Sequence, residues 1–172
     1  MENRIQGKLI LITGASAGIG KACAEKLAAS GGSLILAARR LDRLHKIGQK
    51  LLEKYGAAID VFALDVRNRK AVESFSRELK ARDMIPDVLI NNAGLASGLD
   101  PLHSGNFEDW DRMVDTNIKG LLNVSRFIIP LMVASGLGHV VNVGSLAGYQ
   151  VYPGGVTYTT QQSSPSGPFL KV

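Results

Sequence analysis

A chain of 172 residues with 45% hydrophobic content is one domain's worth, with apolar material enough for a sizeable core and nothing in its composition that points to disorder. Its net charge of +5 hints at an acidic partner, yet the Lys and Arg residues are scattered through predicted helices and do not gather in a run with interleaved aromatics, which argues against nucleic acid. Cys23 is the only cysteine, so an intrachain disulfide is excluded; residues 1–7 are polar and the run after them is strand-like, so no signal or membrane segment is expected there and the expected compartment is cytoplasmic.

In chain order, the apolar run Lys8 to Thr13 predicts a strand. It feeds into Gly14-Ala-Ser-Ala-Gly-Ile-Gly20, after which apolar residues recur at Ile19, Ala22, Cys23 and Leu27. Strand, glycine turn and helix follow each other directly. Residues without a Cβ let the chain turn tightly and let a phosphate approach the backbone, while the free N–H groups at the helix start favour an anion, so the turn suits a pyrophosphate. Further strands are predicted at 33–37, 59–64, 88–91 and 140–143. Between them run helices marked by Leu44, Ile47 and Leu51, by Val72, Phe75 and Leu79, and by Trp110, Met113, Val114, Leu121 and Phe127. The last of these is expected to begin at an Asn106 cap, with Asp109 three residues on, and its apolar face precedes Pro130 and an exit at Gly136 and Gly138. Five apolar runs joined by helices imply an α/β fold, a Rossmann-like doubly wound parallel sheet, with residues 1–158 forming the domain and 159–172 an aberrant or disordered tail.

Ligands of such sheets bind at the carboxyl ends of the strands, which makes the polar residues there informative. The second strand ends in Arg39-Arg40. An acidic residue at that place would hold the ribose hydroxyls of NAD, whereas a guanidinium offers a fork of donors to a 2′-phosphate, so NADP(H) is expected in preference to NAD. The third strand leads to Asp65-Val66, whose carboxylate suits an adenine amino group, and the fourth to Asn91-Asn92-Ala93-Gly94, which alone would read as a turn. No metal site is expected. His103 reads as a loop residue and His45 and His139 as surface and strand-end residues. Cys23 reads as a small, buried hydrophobe.

Taken together, T-G-A-S-A-G-I-G, A-A-R-R, D-V, N-N-A-G, D-T-N-I-K-G and V-N-V-G-S, in this order, resemble the short-chain dehydrogenase/reductase superfamily, and within it the NADP-dependent branch that acts on serine and related 3-hydroxy acids. The resemblance implies that Gly14, Ser16, Gly18, Ile19 and Gly20 hold the pyrophosphate region, Arg39 and Arg40 the 2′-phosphate, Asp65 and Val66 the adenine, and Asn91, Asn92, Ala93 and Gly94 the nicotinamide half. It also implies that Asn117, Ser145 and Tyr158 form the catalytic set acting on a small hydroxy or oxo substrate. The chemistry is consistent: a phenol within hydrogen-bond reach can shuttle the proton of a carbonyl reduction, and a serine hydroxyl can hold the reacting oxygen. For Asn117 the residues alone favour a buried amide satisfied by backbone.

Two departures stand out. Position 162, four residues after Tyr158, is Gln162 where the family has a lysine. A phenol with an ordinary pKa of about 10 then lacks a cation that would lower it by roughly one to three units. Beyond it, Pro165 and Pro168 forbid the expected helix, so the sheet is expected to be truncated after the fifth strand, leaving that strand as a bare edge, and the helix through which the family homo-oligomer assembles is expected to be missing. Codons for Gln161 to Gly167 read one base later permit Ser-Lys-Ala-Ala-Leu-Arg-Ala, a lysine followed by a helix-forming run. Three functions therefore stay open: an NADP(H)-dependent oxidoreductase, a catalytically silent nucleotide-binding remnant, and an interaction protein reusing the fold.

Overall fold

The computed structural model describes residues 4–98, 100–136, 138–145 and 169–171. Its elements are β1 (Leu9–Thr13), α1 (Gly18–Ala29), β2 (Ser33–Ala38), α2 (Leu41–Tyr55), β3 (Ile59–Ala63), α3 (Arg69–Ala81), β4 (Val88–Asn91), α4 (Phe107–Met113), α5 (Leu121–Ala134), β5 (His139–Asn142) and β6 (Phe169–Lys171). A π-helical segment, Val114–Gly120, joins α4 to α5.

Strand order is β3-β2-β1-β4-β5-β6. The first five strands are parallel. Chain order reverses between β1 and β4, the switch point where the carboxyl ends open a crevice. The central strands β1, β2 and β4 are apolar on both faces because each face has its own helical layer. Leu11, Ile35, Leu89 and Val140 pack with Val72, Phe75 and Leu79 of α3 and Val124, Ile128 and Met132 of α5. On the other face Ile10, Ile12, Leu34, Leu36 and Ile90 pack with Ala24 and Ala28 of α1 and Leu44 and Leu51 of α2. Adjacent residues of β1 thus serve opposite layers, as the two-residue strand period requires. At the start of α1, Gly20 packs so closely on the turn that a Cβ there would come within 3.1 Å of the Ala15 Cα.

The last helix, α5, contains Pro130 and ends at Ala134, just ahead of the Gly136 exit. An interior proline costs about 3 kcal/mol through the lost hydrogen bond and the ring's clash with the preceding turn, and burial of Ile128 and Met132 on either side, both 0% exposed, offsets it at roughly 1.5–3 kcal/mol each. Two expectations are corrected. The β5 edge is not bare, because β6 pairs antiparallel to it in the register His139↔Lys171, Val140↔Leu170 and Val141↔Phe169. For the same reason the segment 159–172 is not wholly without structure. Its Ser, Pro and Gly residues precede Phe169-Leu170-Lys171, a short run free of both Pro and Gly that can supply ladder hydrogen bonds.

The continuous helix Phe107–Ala134 is long and apolar enough to cross a membrane. Here its Met113, Val124, Ile128 and Met132 face is buried, while Phe107, Ile118, Leu122 and Val133 are exposed.

Candidate functional site

The carboxyl ends of the strands enclose a cleft of about 500 Å³. It gathers Gly14, Ser16, Gly18 and Ile19 from the glycine turn, Arg39 and Arg40 after β2, Asp65 and Val66 after β3, Asn91, Asn92, Ala93 and Gly94 at β4, and Asn117 from the π-helical segment. Residues spread over a hundred positions of sequence therefore meet on one surface. Gly20 does not line the cleft; it is buried beneath it. Ser145 is partly buried and follows the lining residues Val143 and Gly144. Tyr158 lies outside the described residues, as does Gln162.

The glycine turn is held by contacts that leave no space for a side chain at Gly14 or Gly20. Gly14 has φ +67°, and a Cβ there would come within 2.8 Å of the Ala93 Cα. A Cβ on Gly20 would meet the Gly14 carbonyl at 2.7 Å. The Asn92 amide clamps this turn, donating to the Thr13 carbonyl at 2.9 Å and the Gly14 carbonyl at 3.3 Å. Thr13, 1% exposed, is the hub beneath: its hydroxyl accepts from the backbone N–H groups of Asn92 at 3.0 Å and Ala93 at 3.1 Å, and donates to the Ile90 carbonyl at 3.3 Å. No side chain caps α1, so its first-turn N–H groups are left to what enters the cleft, and an anionic ligand fits them.

Arg40 reaches back over the turn, its Nη2 donating to Ser16 Oγ at 3.1 Å. Next to it, Asp65 is already engaged. Arg67 donates to its carboxylate through Nε, at 3.0 and 3.1 Å, through Nη2 at 2.6 Å, and through its own backbone N–H at 3.1 Å. The Arg67 side-chain hydrogen bonds, with a smaller contribution from the Arg39 charge, hold the Asp65 carboxyl below its usual range. Asp65 therefore meets any ligand as half of an ion pair.

The amide expected to be satisfied by backbone is so: Asn117 accepts from the Leu95 N–H at 2.9 Å and donates to the Leu95 carbonyl at 2.8 Å. The π-helical turn presents it to the chain leaving β4, a distortion that often marks functional positions. Asn91 donates to Asn142 Oδ1 at 2.9 Å and Ser125 Oγ at 3.2 Å, tying β4 to β5 and α5. Among the described residues, Asn91 Oδ1 and Thr116 Oγ1 are buried without a hydrogen-bond partner, and both residues line the cleft. Reading the sequence missed Thr13 and Arg67. Thr13 carried one signal, as the last strand residue before Gly14, and Arg67 another, in the Asp-x-Arg spacing that permits a side chain to turn back on its neighbour.

The fold and its crevice define the class: a doubly wound, Rossmann-like α/β domain with a glycine turn at the switch point. The chain belongs to the short chain dehydrogenase family, whose sequence model matches residues 8–163. It is 43% identical over 150 residues to the NADP-dependent 3-hydroxy acid dehydrogenase YdfG of Salmonella typhi, covering 87% of this chain and 59% of that one. The chain thus spans about three fifths of the length of that relative. Among solved structures it resembles serine dehydrogenase from Escherichia coli, with TM-score 0.81 and 40% identity over 90% of this chain and 70% of that one. A closed form of serine dehydrogenase complexed with NADP+ matches equally, with TM-score 0.81 and 40% identity over 90% of this chain and 61% of that one.

Proposed function

We propose that this chain binds NADP(H) in the cleft and acts, weakly in its present sequence, as an oxidoreductase interconverting hydroxyl and carbonyl on a small substrate such as serine or another 3-hydroxy acid. One observation carries the reading. Arg39 and Arg40 stand at the end of β2 beside the glycine turn, where a carboxylate would select an unphosphorylated ribose and a guanidinium accepts a 2′-phosphate. The similarity to NADP-dependent relatives supports the same choice.

When bound, the dinucleotide supplies or takes up the hydride. The chain's own residues do the rest. Gly14, Gly18 and the start of α1 offer N–H groups to the pyrophosphate, and Asn92 keeps that turn rigid. Ser145 holds the substrate oxygen, and Tyr158 gives it a proton during carbonyl reduction and removes one during oxidation. Gln162 brings no positive charge to the phenol, so the phenolate form stays scarce at neutral pH.

Titration of NADPH and NADH tests the first half of the proposal, with tighter binding of NADPH expected and the difference abolished by replacing Arg39 and Arg40 with Ala. Turnover of serine tests the second. This chain is expected to be slow, and Gln162→Lys, made with the helix-forming continuation, is expected to gain about tenfold or more from a lowered phenol pKa. Equal rates in both forms would remove the lysine argument, and absence of dinucleotide binding would remove the reading itself.

A further inference from the structure

The parallel register sets Ala38 against Ala63, and the Leu64 N–H donates to the Ala38 carbonyl at 3.0 Å. Beyond this point the two chains leave the sheet side by side, so Arg39-Arg40 and Asp65-Val66-Arg67 line one end of the same cleft. That end holds a contradiction. A 2′-phosphate drawn there by two guanidiniums also meets a carboxylate, one close enough to Arg39 for the arginine's charge to act on it. Like charges at such separations repel in proportion to what is left unscreened.

The pair geometry resolves it. Arg67 grips both Asp65 oxygens in a fork, at 3.0 Å through Nε and 2.6 Å through Nη2. Asp65 and Arg67 are only about one-third exposed, at 32% and 35%, so water screens the pair incompletely. We propose that Arg67 is a specificity residue of the dinucleotide cleft: its guanidinium cancels the Asp65 charge beside Arg39 and Arg40 and so permits a phosphorylated ribose to be preferred over an unphosphorylated one. This rests on the assignment of the cleft to NADP(H). It adds that the preference needs a masked carboxylate as well as two guanidiniums. A merely structural role for Arg67 would weaken NADPH and NADH alike, whereas charge masking moves their ratio.

The test measures dissociation constants of NADPH and NADH for the full chain and for Arg67→Ala, Arg67→Lys and the double variant Arg67→Ala with Asp65→Asn. Arg67→Ala is expected to lower the NADPH-over-NADH preference by about tenfold at low salt, with NADH affinity held within about threefold, and to lose most of that effect in 1 M salt, where screening shortens to about 3 Å. Arg67→Lys keeps the charge and is expected to keep most of the preference. Adding Asp65→Asn to Arg67→Ala is expected to restore it, because the repelling carboxylate is gone. An unchanged ratio in Arg67→Ala overturns the inference, and so does a double variant as poor as Arg67→Ala, which would make Arg67 a direct phosphate ligand. In both of those cases the parent chain still prefers NADPH, and the assignment of the cleft stands. A parent chain that binds NADPH no better than NADH overturns the inference together with the Arg39 and Arg40 reading.

Discussion

Thr13 shows how much a single hydroxyl can organise. Replaced by the isosteric Val, it would fill the same volume but leave the Asn92 and Ala93 N–H groups without their acceptor. Unsatisfied buried donors cost about 1–3 kcal/mol, and for a domain of this size each kcal/mol is worth roughly 2–4 °C. Thr13→Val is therefore expected to melt lower by at least about 2 °C and up to about 12 °C in a thermal scan, while Thr13→Ser, which keeps the acceptor, recovers most of the loss. A Thr13→Val chain melting with its parent would show that the hydroxyl is dispensable. At this scale the glycines were legible in the sequence because the turn needs them wherever they are met. Thr13 and Arg67 were not read, since the partners of Thr13 lie 77 to 80 positions away and the Arg67 fork exists only once the turn after β3 is formed. The Asp65–Arg67 pair also makes a pH statement. The native carboxyl lies below its ordinary value of 3.8, so the pair's stabilisation is fully present above that value and is lost as pH falls through the lower native one. Denaturant midpoints of parent and Arg67→Ala should thus differ by a constant amount from neutral pH down to about 4 and converge in stronger acid.

Elements carry a second layer of function, because the π-helical segment is what turns Asn117 toward the strand end. A regular helix would rotate that side chain away from Leu95, since each extra residue per turn shifts all that follow. Asn117→Ala should therefore loosen the chain after β4: both Leu95 backbone groups lose a partner, at about 1–3 kcal/mol. Limited proteolysis is expected to cut between residues 95 and 106 several-fold faster than in the parent, and unchanged cleavage would show that this segment is held by its other contacts, such as the Ser97–Asp109 hydrogen bond of 2.6 Å. The strands and helices themselves were legible to within about one residue at most strand ends, because burial on two faces forces continuous apolar runs and one-sided burial forces a helical period. β6 was misread because local preference discourages a strand after Pro168, and only a tertiary partner, the open side of β5, reverses that preference.

The whole molecule assembles the cleft from pieces that mean little alone: a turn after β1, guanidiniums after β2, a masked carboxylate after β3 and an amide at β4. The order β3-β2-β1-β4 puts those pieces in a row, and no unfolded chain holds them within reach of one another. Sequence motifs therefore pointed to these pieces one by one, while their hydrogen bonds, such as the Arg67 fork on Asp65, had to come from the folded sheet. A dinucleotide that spans this row, as proposed, would have almost nothing to bind in the unfolded chain, so its occupancy would register as stability. At a free concentration about a hundredfold above its dissociation constant, NADPH is expected to add about 2.7 kcal/mol. For a domain of this length that is a rise of roughly 5–11 °C in melting temperature. NADH at the same concentration lacks the 2′-phosphate that Arg39 and Arg40 would hold, and it should raise the melting temperature by distinctly less. Replacing both arginines by Ala should bring the NADPH shift down to the NADH value while leaving the NADH shift in place. Matching shifts from the two dinucleotides in the parent chain would place the source of affinity in the glycine turn alone and strip the β2 end of its part in the choice.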